Sequence, residues 1–321
     1  MKKIKSTRMT KQILTSLIIS LLVISTTYAQ RPRPPVQIIL HPSKAAEFAT
    51  KYLLLPKDEE LIDADAAPLY EKAIASLPAG FDTGQINEWR KTPPDKLPQK
   101  QVQEILEQFK PSLQLLEQAA KCKRCDWTEN LLQNLTPYRN IAFLLSLQIH
   151  FEIARGQYDK AIDNMRTGYA FSKNISKEPM LISGLVAVGI TALVSGQIEH
   201  LAQEPDSPNL YNALNALPRP LIDLSEMLEI EEPNTVQKVN LITNRMERHI
   251  AALKCIEALR LYAGTHDGKF PENLSDVTEV KIPDDPVTKK PFSYKSTGSD
   301  AVLELEGSEG RDAMRYELKL K

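Results

Sequence analysis

The feature that most limits how this chain can fold is a stretch without a single charge, residues 180–197. In it, large aliphatic residues alternate with Gly184, Gly189, Gly196, Ser183, Ala187, Thr191 and Ala192. Wound as a helix, such a segment is apolar on every side, so it belongs either in the middle of a packed helical body or in a bilayer. Its length permits a membrane span, and its small residues would suit close helix packing there. The aromatic belts and charge asymmetry that flank a span are missing, which points to the centre of a soluble bundle. Residues 138–154 make a similar demand, with Ile141, Phe143, Leu144, Leu145, Leu147, Ile149 and Phe151 on nearly all sides. Two such helices need neighbours to cover them, and the rest of the chain must supply those.

The neighbouring segments have helical hydrophobic spacing. Ser43 can cap a helix running to Pro56, and 63–77 gives another, with Leu69, Tyr70, Ala73, Ile74 and Leu77 on one side. Residues 99–121 are helical in pattern but contain Pro111, which lacks a donor and clashes with the preceding turn, so a kink or restart is expected there. After the turn at Arg155-Gly156-Gln157 comes a helix over 158–173. Here Gly156, Tyr158 and Ala161 resemble the centre of a tetratricopeptide (TPR) repeat, in which the glycine makes the turn and the alanine admits a second helix. Tyr70-Glu71-Lys72-Ala73-Ile74 echoes it. No strict period of about 34 residues is visible, so the resemblance implies a TPR-like hairpin, not an array. Five prolines between 205 and 233 cut the next stretch into short pieces, with short helices expected at 210–217 and 221–230. A long helix follows over 235–263, with Met246, Ile250, Leu253, Ile256, Leu259 and Tyr262 on its apolar face.

The N-terminus bears on location. Lys2, Lys3, Lys5, Arg8 and Lys11 precede an apolar core at 13–24, and Thr27-Tyr28-Ala29 precedes Gln30. That is the layout of a cleavable secretory signal. The core is too short for the roughly 18–20 residues of a spanning helix. With no cysteine after the cleavage point, lipid anchoring is not expected. The mature protein is therefore expected to be periplasmic or secreted, with no stable membrane span. Cleavage removes five bases and no acid, shifting the balance from 40 basic against 41 acidic residues to 35 against 41. A mildly acidic chain has no basic excess to neutralise phosphates, so nucleic acid is not an expected partner. Arg31-Pro32-Arg33-Pro34-Pro35 reads as an extended, solvated linker.

No catalytic signature stands out. Cys122 and Cys125 form a C-x-x-C without the following His of a haem site or the second ligand pair of a zinc site. Lys121, Lys123 and Arg124 would favour a thiolate there. In an exported chain a disulfide is expected, local between Cys122 and Cys125 or long-range to Cys255 on or beside the apolar face of the long helix, with one cysteine left over. The five histidines, His41, His150, His200, His249 and His266, show no metal-binding spacing. Glu199-His200 and Glu247-x-His249 place acid near base but not on one helical face. Neither G-x-S-x-G nor a P-loop is present, and Glu59-Glu60 and Glu231-Glu232 splay apart on a helix. No catalytic, cofactor-binding or metal residue is assigned.

The tail carries two further resemblances. Residues 261–274 run through Asp267-Gly268-Lys269-Phe270-Pro271, and 285–294 through Asp285-Pro286 to Pro291-Phe292-Ser293-Tyr294. This layout resembles the tail of the type II secretion major pseudopilin, which implies a helix end, a loop and a small β-hairpin. Strands are expected at 292–295 and 302–306, with Ser299-Asp300 in the turn and a third strand near 314–320. The N-terminus lacks the glycine cleavage site and the fifth-position glutamate of pseudopilins, so no assembly role is implied. Asp284 and Asp285 are calcium candidates by that resemblance and turn formers by their place before proline. The signal, the segment Ala67-Pro68-Leu69-Tyr70-Glu71-Lys72-Ala73, Cys125-Asp126-Trp127 and the Asp285-to-Phe292 tail also occur in the order seen in exported helical proteins of planctomycete-type bacteria. That resemblance implies a fold and an export route, with no established activity.

The expected architecture is mainly α: signal at 1–29, Pro-rich linker at 30–42, a TPR-like helical-hairpin bundle or solenoid at 43–234, then a long helix and small α/β module at 235–321. The expected role is a non-catalytic envelope scaffold binding a protein or peptide. The alternative is an envelope enzyme with its site in the groove between helical domain and tail. Histidines and carboxylates converging in a deep pocket would favour the enzyme; an open polar concave face would count against it.

Overall fold

The computed structural model describes residues 34–43, 51–78, 81, 83–127, 135–305 and 313–321. Among these, the chain is mainly helical, with ten helices and a small sheet. The signal segment and residues 44–50 of the helix expected after Ser43 lie outside the described residues; the stretch that follows, through Lys57, is not helical.

The first elements depart from the sequence reading. Within the expected linker, Val36–Leu40 forms strand β1. Within the expected 63–77 helix, Ile62–Asp65 is strand β2, and helix α1 begins only at Ala67 and ends at Ala75. Asp65 explains that break: its Oδ1 accepts from the backbone N–H of Ala67 (3.1 Å) and Asp126 (2.9 Å). It thereby caps the turn into α1 and ties β2 beside Cys122–Arg124, strand β3, with which β2 pairs in parallel. Helix α2 follows at Gly84–Trp89. The segment around Pro111 splits as expected into α3, Gln99–Gln108, and α4, Lys110–Ala120, with Pro111 in the first turn of α4, where a missing N–H costs nothing.

The two apolar segments become α5, Thr136–Ala154, and α7, Leu181–Ala202, with α6, Tyr158–Ile175, between them. Gly156, at φ +66°, turns α5 into α6, and Ala161 is fully buried where the two helices meet. Short helices α8, Tyr211–Asn215, and α9, Ser225–Leu228, lead to α10, Pro233–Thr265. Two thirds of the apolar window of α7 is buried inside the fold, as a central helix requires.

The tail forms a four-stranded sheet in the order β1-β6-β5-β4. Strands β4, Ser293–Ser296, β5, Asp300–Leu305, and β6, Met314–Leu320, make the expected antiparallel set, and Gly298, at φ +90°, turns β4 into β5. β1 joins β6 in parallel, with Ile38 opposite Leu318. Period-two burial of Ile38 and Leu40, Ala301, Leu303 and Leu305, and Tyr316 and Leu318 gives the sheet one apolar face. Cys255, Ile256 and Leu259 of α10 pack in that same core.

α10 belongs to both cores. Val239, Met246, Ile250 and Leu253 lie in the helical core, while Cys255, Ile256, Leu259 and Ala263 lie in the core shared with the sheet. Two buried ion pairs fix it. Arg248 donates through Nε (3.0 Å) and Nη2 (2.6 Å) to the carboxylate of Asp285. Arg260 donates to Glu257, to Ser207 and to the carbonyl of His41 at the end of β1. Buried pairs of this kind contribute little net stability when intact, but removing one partner costs about 3–5 kcal/mol.

Candidate functional site

Where α7 and α10 run past the edge of the sheet they leave a groove of about 590 Å³. Leu185, Val188, Gly189 and Ala192 of α7 and Leu241, Ile242 and Met246 of α10 make an apolar floor, closed by Val36 of β1 and by Met314 and Tyr316 of β6. Arg90, Lys91, Lys238, Arg245 and Arg315 stand on its lining, against one carboxylate, Glu199. In a chain with 40 basic against 41 acidic residues, this is a local concentration of positive charge. Gly189 leaves room for any occupant: a Cβ built there meets nothing within 4 Å, and the same holds at Gly196, about two turns further.

At one end of the groove one histidine and one carboxylate meet, in a partnership that crosses between elements. His249 Nε2 of α10 lies 2.8 Å from Glu199 Oε1 of α7, and the Tyr316 hydroxyl of β6 donates to the same oxygen at 3.2 Å. Burial works to raise the Glu199 pKa, but the hydrogen bond and charge of His249, helped by His200 and Tyr316, outweigh it and hold the carboxyl below its usual range. Both residues were visible in the sequence, each beside a different, local partner. Their actual pairing depends on how α7 and α10 cross.

Behind Glu199 the groove adjoins a cavity of about 280 Å³, lined by Arg90, Lys91, Gly189, Gly196, Gln197 and His200 among others. The rings of His150 and His200 meet edge to face at 4.5 Å. His150 contacts the Thr92 carbonyl through Nε2 (2.6 Å) and Gln197 through Nδ1 (3.1 Å), whereas His200 Nδ1 is buried without a hydrogen-bond partner among the described residues. Burial, with the charges of His150 and Arg90, pushes His200 down to about 4, so it is neutral near pH 7.

The cysteines sit elsewhere. Cys122 and Cys125 are buried, free thiols beside β2 and α1, and Cys255 is a free thiol in the sheet core. The expected thiolate-favouring cations face other groups: Lys121 binds Glu117, and Arg124 binds Asp63 and Asp126. Burial instead raises the Cys122 pKa and pushes Cys125 and Cys255 up to about 12. Asp285 is committed to Arg248 and to the backbone N–H of Val287 and Thr288, a turn-forming and ion-pairing role. Among the described residues no group of three or more His, Cys, Asp or Glu is placed to hold a metal ion.

A second cavity, of about 510 Å³, lies over the α5–α6 hairpin. Its charges are largely matched internally, Arg166 to Glu60 and Lys121 to Glu117. Its buried carboxyl, Glu152, is held by Asn164 and Gln148, and burial raises its pKa. The groove by contrast sets a cationic lining beside apolar surface. Comparison with protein-family models, curated proteins and solved structures found no match to this chain.

Proposed function

We propose that the chain is an exported, non-catalytic binding module of the cell envelope, periplasmic or secreted, whose groove receives a short acidic and apolar segment of a partner protein. The observation that carries this reading is the groove's combination of aliphatic floor and cationic lining. Apolar residues of a bound segment would be desolvated on the floor while its carboxylates met Arg and Lys, the division between apolar anchor and charge complementarity that protein interfaces use. Its volume falls in the range of ligand sites of about 300–1,000 Å³, enough for a few side chains. The residues lining it include no Ser, Thr or Cys to serve as a nucleophile.

Export rests on the signal layout and on the likeness to exported planctomycete-type proteins. The TPR-like character of the α5–α6 hairpin is part of the same proposal, supported by the Gly156 turn and the buried Ala161. Capture of partners from the exported fraction tests it, using the mature chain and its Gly189→Phe variant, which fills the floor. A partner retained reproducibly by the first and lost by the second is the expected result. Capture of nothing across conditions, or capture indifferent to Gly189→Phe, would overturn it.

One observation favours a second reading, an envelope enzyme. His249, oriented by Glu199, has the arrangement of a general base held by a carboxylate. A turnover lost in His249→Gln while partner capture persists would establish that reading.

A further inference from the structure

Arg90 is one of the cations that line the groove. It follows α2, is half-buried, and lines both the groove and the smaller cavity behind it. Its Nε and Nη2 both donate to Asn87 Oδ1, at 2.9 and 2.5 Å, and its guanidinium lies 5.2 Å from the Phe143 ring centroid. No carboxylate forms an ion pair with it among the described residues, whereas Arg315 is held by Glu304 and Glu317. A cation taken partly out of water without a counter-charge is an unfavourable arrangement that an anion would relieve. Its lowered pKa, about 10, has that one cause, burial. Beside it, Lys91 is exposed and His200 carries its unpartnered Nδ1. Glu199, the carboxylate nearby, has an oxygen turned to His249 and Tyr316.

Resting on the reading of the groove as a binding site, we infer that Arg90, with Lys91, forms an oxyanion subsite that takes the carboxylate or phosphate of a ligand whose apolar part lies on the α7–α10 floor. Arg90 fits this role because two of its nitrogens are fixed by Asn87, so the planar fork is held in place before the anion arrives. Arg90 lines the smaller cavity together with Gly189 and Gly196, where a Cβ would meet nothing within 4 Å.

Calorimetric titration of the mature chain with octanoate, octyl phosphate and octanol separates the possibilities. Octanoate, octyl phosphate or both should bind at least tenfold tighter than octanol, and the preferred anion names the headgroup. Arg90→Gln should erase that preference while octanol binding persists, and Arg90→Lys should retain part of it. Thermal melts of each variant report folding, and Gly189→Phe, which leaves Arg90 in place, should abolish all three interactions. If octanol binds as well as both anions, or if folded Arg90→Gln keeps the preference, the subsite is overturned while the groove stands. If none of the three probes binds, the subsite is overturned; the groove reading then falls only if partner capture also fails.

Discussion

A glycine in a helix is tolerated or required according to what lies over it, and two glycines here fall on opposite sides of that line. At Gly168 of α6 a Cβ would collide with Val194 and crowd Leu145, both in the core, so Gly168→Ala should destabilise by about 1–3 kcal/mol. At Gly189 of α7 the space is open, and Gly189→Ala should stabilise by about 0.5–1 kcal/mol through lost backbone freedom in the unfolded chain. Urea denaturation of the two variants against the parent checks both signs. His200 makes a pH prediction. Its folded pKa, about 4, lies below the ordinary 6.5, so between those values the unfolded chain binds a proton that the folded chain refuses. Stability from this group is therefore present above about pH 6.5 and is lost as pH falls toward 4. His150, also lowered by burial, acts in the same direction, while Glu152, raised, opposes it near its own range. Denaturant midpoints at pH 7 and 4.5 should show His200→Gln losing less stability than the parent, by on the order of 2 kcal/mol. The residues themselves were all legible, but not their partners: Glu199 adjoins His200 in sequence and binds His249 in space.

Elements were legible in proportion to how local their causes are. The split between α3 and α4 was readable because Pro111 is a local steric fact. The β4–β5 hairpin was readable because alternation and a turn-forming Gly-Ser-Asp sit side by side. β1 was not. The prolines just before it, at 32, 34 and 35, argued for a linker, and its partner, β6, lies at the far end of the chain. β2 and β3 are too short and polar to show alternation; they pair through backbone hydrogen bonds at Ile62–Lys121 and Ala66–Arg124, with Asp65 adding a bridge to the Asp126 N–H. Ile38 of β1 is almost fully buried in the sheet core, so Ile38→Ala should cost about 2–5 kcal/mol, a penalty that a solvated linker would not impose. Equilibrium unfolding of that single variant distinguishes strand from linker.

At the scale of the molecule, α10 passes through both cores, and the Arg260–Glu257 cluster fastens the end of β1 and the 207–210 loop onto it. The described parts should therefore unfold together, with calorimetric and van't Hoff enthalpies agreeing; two resolved transitions would show that the helical body and sheet module are separately stable. The sequence by itself determined the helical class, the positions of most helices and their breaks, the hairpin tail and the need to bury two apolar helices. Those follow from periodicity and from proline and glycine stereochemistry, which act over a few residues. The tertiary structure alone decided that β1 completes the sheet, that Glu199 meets His249, and that α7, α10 and the sheet edge enclose a cationic, apolar-floored groove. Periodicity tells each element which face to hide, but which faces meet is settled by packing across the whole chain, and the candidate site exists only where they meet.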